Sequence, residues 1–420
     1  MNTKKQFEAL RLSHFTATTC LGHGREALWA GLISGQGHLK PCDFHDAAVD
    51  CWIGEVAGIA EVALPPHLAE YDCRNNRLAL LGLTADGFAE HVQERIGRYG
   101  RHRVGVFLGT STSGILQTEL GYRHRDPDTG NLAKDFDYAT THNNYSLSRF
   151  VRAFFDLAGP AHVISSACSS SAKVFVAAEQ MIRLGLIDAA IVGGVDSLCL
   201  TTLYGFQSLE LTSPQACRPY DEERDGLSLG EAAAFVFLER ADAPLDSSET
   251  PPVFLLGYGE SSDAYHMSTP HPEGLGAQMA MQEALSMAGL QPHQIDYLNL
   301  HGTATPNNDA AEGKAVQKVF GERDDTPMVC SSTKGATGHT LGAAGGVEAV
   351  ICGLSLMHQV KPAGANTRQV DAAMSLNYLL THQPGKVDFV QSNSFGFGGT
   401  NCSLIFGRDA AMAARGGSHE

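Results

Sequence analysis

The 420-residue sequence has few charges: only 18% of its residues are Asp, Glu, Lys or Arg. That is below the usual quarter for soluble domains and points to a compact, oligomeric protein. Blocks of Lys or Arg are absent and the net charge is −16. A nonspecific nucleic-acid coat, which needs clustered cations, is excluded on those grounds. No C-x-x-C pair occurs among the ten cysteines, so neither a zinc ribbon nor a redox dithiol is expected. Met1 to Leu12 is polar and charged, without a signal-peptide core. No apolar run approaches membrane-spanning length. A cytoplasmic protein without a membrane span is the expectation.

What is abundant is glycine, 45 residues, which implies many tight turns and close backbone approaches. Apolar residues reach 43%, enough for a sizeable core, and the length favours two fused units. Short apolar strands alternate with helical patterns, the mark of an α/β fold. Strands are expected at Val104–Leu108, His162–Ser165, Ala190–Val192, Ala234–Leu238, Val253–Leu256, Tyr297–Leu300, Met328–Cys330, Phe389–Gln391 and Cys402–Phe406. Helices are expected at Ser170–Leu184, Gly276–Ala288, Ala310–Phe320 and Ala343–Met357. A Pro-, Asp- and Ser-rich linker, Ala241–Pro252, separates an N-terminal half, 1–245, from a C-terminal half, 252–410. Residues 411–420 are expected to form a flexible tail.

The two halves resemble each other. Val104–Leu108 runs into Gly109-Thr110-Ser111-Thr112, and Tyr297–Leu300 runs into His301-Gly302-Thr303-Ala304-Thr305. Val163–Cys168 opens one helix, and Val329–Lys334 opens its counterpart. Matching order at two junctions argues for an internal duplication. The first half carries an extra segment, about 116–159. An insertion on a rigid scaffold is a usual place for substrate or partner contacts.

Cys168 follows a strand and precedes a helix, within Ser165–Ser171. A strand-to-helix elbow presents a side chain at the helix N-terminus. The dipole and free N–H groups there are expected to favour a thiolate and an oxyanion. A buried structural cysteine fits the same local pattern equally well. His301 ends a strand at a cleft, or else caps the core. His339 lies in the glycine-rich Lys334–Gly342 stretch, and Glu348 follows where it can pair with Lys334, for catalysis or for structure. Ser394–Asn401 offers dense glycines for backbone N–H donation. No G-K-[ST] follows it, so a nucleotide phosphate loop is a poor alternative. Phe395 and Phe397 there are core residues or gates over a cleft.

Six motifs in order now give a resemblance: Ser166–Ser170, Arg218–Asp221 with Arg224-Asp225-Gly226, Ser262–Met267, His301–Thr305, Lys334–His339 and Asn393–Asn401. The chain resembles the elongating β-ketoacyl-acyl-carrier-protein synthases over nearly its whole length. The resemblance implies a duplicated, five-layered αβαβα thiolase-like fold. It implies Cys168 as the acyl-accepting nucleophile and His301 and His339 as the groups acting on malonyl thioester. Lys334 and Glu348 would support them. The N–H groups of Cys168 and Phe397 would form the oxyanion hole, with Phe397 also the gate. Thr303 and Thr305 would bind the phosphopantetheine arm, with Phe395 also at the substrate site. The reaction implied is decarboxylative condensation needing no metal, nucleotide or organic cofactor, with phosphopantetheine arriving on the acyl carrier protein.

The paired histidines match elongating types rather than the Cys-His-Asn set of initiating synthases. Ala232 and Ala234, where the family usually has glycine, and Ala304 point to a divergent branch, in fatty acid or in polyene or polyketide synthesis. The alternatives are a noncatalytic chain-length partner, which usually lacks the cysteine, and a Cys–His acyltransferase or hydrolase, which needs only one base. A homodimer, or a heterodimer with a related subunit, is implied. An acidic carrier should meet a basic patch, for which Arg74, Arg77 and Arg218 are candidates. Chain length should depend on tunnel residues near Ser113–Ile115, Ile115 among them.

Overall fold

The computed structural model describes residues 8–35, 37–134, 136–243, 252–321 and 327–409. The expected tail and most of the linker lie outside the described residues. Eleven strands join in one sheet: β1 Leu10–Thr18, β2 Val104–Gly109, β3 Ala161–Ile164, β4 Ala189–Asp196, β5 Ala232–Arg240, β6 Val253–Ser262, β7 Tyr297–Asn299, β8 Val329–Ser331, β9 Asn377–Tyr378, β10 Phe389–Gly396 and β11 Thr400–Gly407. Their order is β9-β8-β7-β10-β11-β6-β1-β5-β4-β2-β3. Every residue of β2 and of β4 is buried. Covered on both faces, these strands read as continuous apolar runs rather than alternating ones.

The order resolves into two copies of one plan. In the first half β2 pairs parallel with β3 and β4, then β4–β5 and β5–β1 pair antiparallel. In the second, β7 pairs parallel with β8 and β10, then β10–β11 and β11–β6 pair antiparallel. The halves meet where β1, still paired with β5 on one edge, pairs with β6 on the other, Leu10 opposite Leu255 and Leu12 opposite Val253. The outer strand β9 has no first-half equivalent in the sheet among the described residues.

Nine helices position the site: α1 Arg74–Leu83, α2 Ile115–Arg123, α3 Tyr145–Phe154, α4 Ser170–Arg183, α5 Leu200–Ser208, α6 Leu275–Ala288, α7 Pro306–Phe320, α8 Lys334–Thr337 and α9 Ala344–His358. Helices α4 and α9 form the middle layer, each touching strands of both halves. They cross closely because Gly345 has no side chain: a Cβ there would stand 2.6 Å from the Ala172 nitrogen. Helices α1 and α3 cover the outer face of the first half, and α6 and α7 that of the second. The result is an αβαβα stack.

The stretch Leu341–His358 is long and apolar enough to cross a membrane, but 89% of it is buried inside the protein as the core of that stack. The inserted segment holds α2 and α3. Helix α7 begins four residues earlier than expected, at Pro306, because Thr305 precedes it and proline suits the first helical turn.

Candidate active site

Strand β3 ends at Ile164, and after five intervening residues the chain starts α4 at Ser170. In that elbow Ala167 takes φ 52°, a left-handed conformation that costs a residue with a Cβ. Hydroxyls brace the turn. Ser169 Oγ donates to the Ser166 carbonyl at 2.9 Å, Ser170 Oγ to the Ala167 carbonyl at 2.5 Å, and the Ser166 N–H donates to Ser170 Oγ at 2.9 Å. Cys168, held by this frame, is buried at 5% exposure. The Phe397 N–H points at its sulfur.

The electrostatics correct one expectation. Burial pushes the Cys168 thiol up to about 12, against the opposing pull of Lys334 and the Phe397 N–H. Desolvation of the charged form therefore outweighs the helix terminus, and the resting group is a thiol, not a thiolate. His339 Nε2 lies 3.0 Å from Cys168 Sγ. Burial, then Lys334, holds His339 well below the ordinary imidazole range, so it is neutral and can take the proton.

His301 is neutral for the same reasons, with a further contribution from His339. Its ring stands nearly perpendicular to that of His339, 85° at 5.3 Å between centroids. Lys334 Nζ donates to the His301 carbonyl at 2.6 Å, approaches His301 Nδ1 at 3.4 Å and pairs with Glu348. An ammonium has only donors, so Nδ1 must accept. The His301 proton then sits on Nε2, which faces the cavity. Ser394 Oγ donates to Glu348 Oε2 at 3.4 Å. His339 Nδ1, by contrast, has no hydrogen-bond partner among the described residues, so its tautomer is set only by what Nε2 faces, Cys168 Sγ in the resting site.

Two further carboxylates, not foreseen in the sequence, set the His301 turn. Glu312 accepts the N–H groups of His301 and Gly302, both at 2.8 Å, with Asn393 Nδ2 at 3.1 Å and the Tyr220 hydroxyl at 3.1 Å. Asp309 accepts from Thr303 N at 3.1 Å and Tyr220 N at 2.9 Å. Both project from α7 at positions i and i+3, one face of the helix. That spacing was the available signal.

Cys168, His301 and His339 line one cavity of about 190 Å³. Thr303, Thr305, Phe395 and Phe397 line it too. The threonine hydroxyls lie 2.8 Å apart. Phe395 tilts over His301 at 5.9 Å, and Phe397 packs on Phe206 at 5.5 Å. Phe206, Leu209, Leu211 and Leu227 give the cavity an apolar wall that the sequence had not indicated.

Four expected residues lie elsewhere. Ile115, at the start of α2, packs against the apolar cluster that holds Leu116, Leu198 and Leu203 and is not among the residues lining the cavity. Arg74 is 13% exposed and bonds Glu231 and Glu55. Arg218 is 8% exposed and bonds the Glu223 carbonyl and carboxylate. Arg77 pairs with Asp72. Arg74 and Arg218 are thus internal cations rather than a docking patch, because buried guanidinium groups are retained by carboxylate partners. No lysine or arginine lines the cavity among the described residues.

Comparison with known proteins agrees with this geometry. The family described as "Beta-ketoacyl synthase, N-terminal domain" matches residues 85–243, and the C-terminal domain of that family matches 253–368. A 3-oxoacyl-[acyl-carrier-protein] synthase 2 of Vibrio cholerae is 32% identical over 92% of this chain and 96% of its own. The mitochondrial 3-oxoacyl-[acyl-carrier-protein] synthase of Arabidopsis thaliana is 40% identical over 59% of this chain and 56% of its own. Among solved structures, a ketosynthase in complex with its chain length factor from Xenorhabdus doucetiae aligns with a TM-score of 0.85 at 38% identity, covering 97% of this chain and all of that one. A β-ketoacyl synthase from Burkholderia phymatum aligns with a TM-score of 0.84 at 28% identity, covering 96% and 100%. Sequence, thiolase-like architecture and site agree that this chain belongs to the β-ketoacyl synthase family.

Proposed function

We propose that the chain condenses an acyl group held on Cys168 with malonyl-acyl carrier protein, releasing carbon dioxide and a β-ketoacyl carrier. The observation that supports this reading most is the convergence of one buried thiol and two neutral imidazoles on a single cavity.

In the first half-reaction Cys168 Sγ attacks the carbonyl carbon of an acyl-carrier thioester while its proton passes to His339 Nε2. The tetrahedral oxyanion takes the N–H groups of Cys168 and Phe397. Collapse expels the carrier thiolate, which recovers the proton from His339. In the second, the malonyl thioester oxygen accepts from His301 Nε2 and His339 Nε2. Carbon–carbon cleavage leaves carbon dioxide and an enolate whose charge rests on that oxygen. One lost donor in such a hole costs about 3–4 kcal/mol. The enolate carbon attacks acyl-Cys168, and the thiolate leaves and takes up one proton from solvent. Lys334 keeps His301 a donor throughout, whereas the unpinned His339 can serve both as acceptor and as donor. Covalent capture divides one three-body reaction into two bimolecular ones.

The carrier's phosphopantetheine arm would run past Thr303 and Thr305, with Phe397 as gate. The substrates carry all the chemistry these residues require, so no cofactor is assigned. Cys168 and both histidines are present, which disfavours a noncatalytic chain-length subunit. A hydrolase would not need the second imidazole. The likeness to a ketosynthase solved with its chain length factor supports pairing with a related subunit, in fatty acid or in polyene or polyketide synthesis. An active thiol suits the reducing cytoplasm. Mass spectrometry of the chain after exposure to acyl-carriers should find the acyl group on Cys168. Acylation at another residue overturns the assignment.

A further inference from the structure

Cys168, His301 and His339 come from three distant turns, yet their sulfur and ring nitrogens lie within 4.8 Å of one another. All three side chains are buried. A thiol and two imidazoles are a donor set for borderline-soft transition metals, whereas magnesium and calcium prefer oxygen. Tetrahedral zinc holds sulfur at about 2.3 Å and nitrogen at about 2.0–2.1 Å, which places neighbouring donors roughly 3.3–3.6 Å apart. Cys168 Sγ and His339 Nε2 stand at 3.0 Å, close to that spacing. The widest separation must close by at most about 1.2–1.5 Å to reach it, a shift that ring rotation into the cavity can supply. The fourth corner opens onto that cavity, where a water can enter. The cation nearest the trio, Lys334, is neutralised by Glu348, so the metal does not meet an uncompensated charge.

We propose that this trio is also an inhibitory binding site for zinc. The aqueous ion exchanges three waters for Sγ and two ring nitrogens. The sulfur–hydrogen bond breaks and its proton leaves to solvent; the Nε2 proton of His301 leaves as well, Lys334 Nζ passing one of its own protons to His301 Nδ1, and no oxidation state changes. The bound ion caps the nucleophile and occupies both oxyanion donors at once. Zinc acts here as a reversible blocker, not as a cofactor. The inference concerns binding alone and does not depend on the condensation chemistry proposed above.

The test is a titration of the full chain with cobalt(II), which reports its ligands optically. One equivalent should give a sulfur-to-cobalt charge-transfer band with the intense ligand-field bands of a tetrahedral site. Zinc should displace the cobalt. Cys168→Ala should abolish the charge-transfer band, His339→Ala should weaken it, and Cys42→Ser should leave it intact. In the unaltered chain, alkylation of Cys168 by iodoacetamide should fall toward zero at one equivalent of zinc, return with a chelator and ignore magnesium. The protection assay uses no variant, so it decides the matter even if a substitution unfolds the chain. Alkylation at the metal-free rate under saturating zinc, or an unchanged sulfur band in folded Cys168→Ala, overturns the proposal.

Discussion

Replacing Lys334 with methionine removes the ammonium from the most enclosed charge pair of the site. In the wild type Lys334 and Glu348 are 2% and 3% exposed. The substitution leaves Glu348 without its cation, with Ser394 Oγ its remaining donor. Breaking a buried pair by deleting one member costs about 3–5 kcal/mol. The His301 carbonyl also loses its donor, and His301 Nδ1 loses the group that fixes its tautomer. Adding Glu348→Gln removes the stranded charge, so the double variant should regain most of the lost stability. It should not regain decarboxylation, because His301 is no longer pinned with its proton on Nε2. A hole lacking one donor slows turnover by about 10²–10³-fold. Urea unfolding measures the first quantity, and carbon dioxide release from malonyl-carrier the second. The reasoning fails if Lys334→Met loses less than about 1 kcal/mol, the ordinary value of an exposed pair. It fails equally if the double variant decarboxylates at the wild-type rate.

Two further outcomes follow from the same geometry. His301→Ala should leave acylation of Cys168 near the wild-type rate, read by mass spectrometry, while carbon dioxide release falls by about 10²–10³-fold; equal losses in both steps would contradict the division of roles. Since the Cys168 thiol is pushed up to about 12, only the minor thiolate form reacts at neutral pH, and its share grows about tenfold per pH unit. Alkylation should therefore keep accelerating through pH 9, where a thiol at its ordinary value bends toward a plateau; a plateau below that pH would show that burial does not govern this group.

The strands were legible because a sheet covered on both faces writes itself as short apolar runs, as Ala190–Val192 does within β4. Their ends were less so. Strand β6 was expected to stop at Leu256, since Gly257 and Gly259 resemble a break. The chain continues to Ser262, and glycine is required there by helix α6: a Cβ on Gly259 would meet the Ala280 carbonyl at 2.0 Å. The three central site residues were readable because each comes after the carboxyl end of a parallel strand of its own half: Cys168 in the turn after β3, His301 just after β7, and His339 beyond the short helix that follows β8. Asp309 and Glu312 were not, because two carboxylates on a helix look like a solvated face until the His301 turn is seen to lie over them. The arginines misled for the converse reason. Glu231, which neutralises Arg74, lies 157 positions away in sequence, beyond any local pattern. Ala304, read in the sequence only as a departure from the family, takes φ 68°, a cost that the Glu312–Asp309 frame around it sustains.

The central claim is that one acyl-Cys168 is consumed for each malonyl group decarboxylated. A rapid-quench single turnover of pre-acylated chain with malonyl-carrier follows acyl-Cys168, carbon dioxide and β-ketoacyl-carrier together. The account predicts equal amounts and a common rate for all three once decarboxylation begins. Carbon dioxide released while the acyl group stays on Cys168, or the acyl group leaving as free acid, would contradict it.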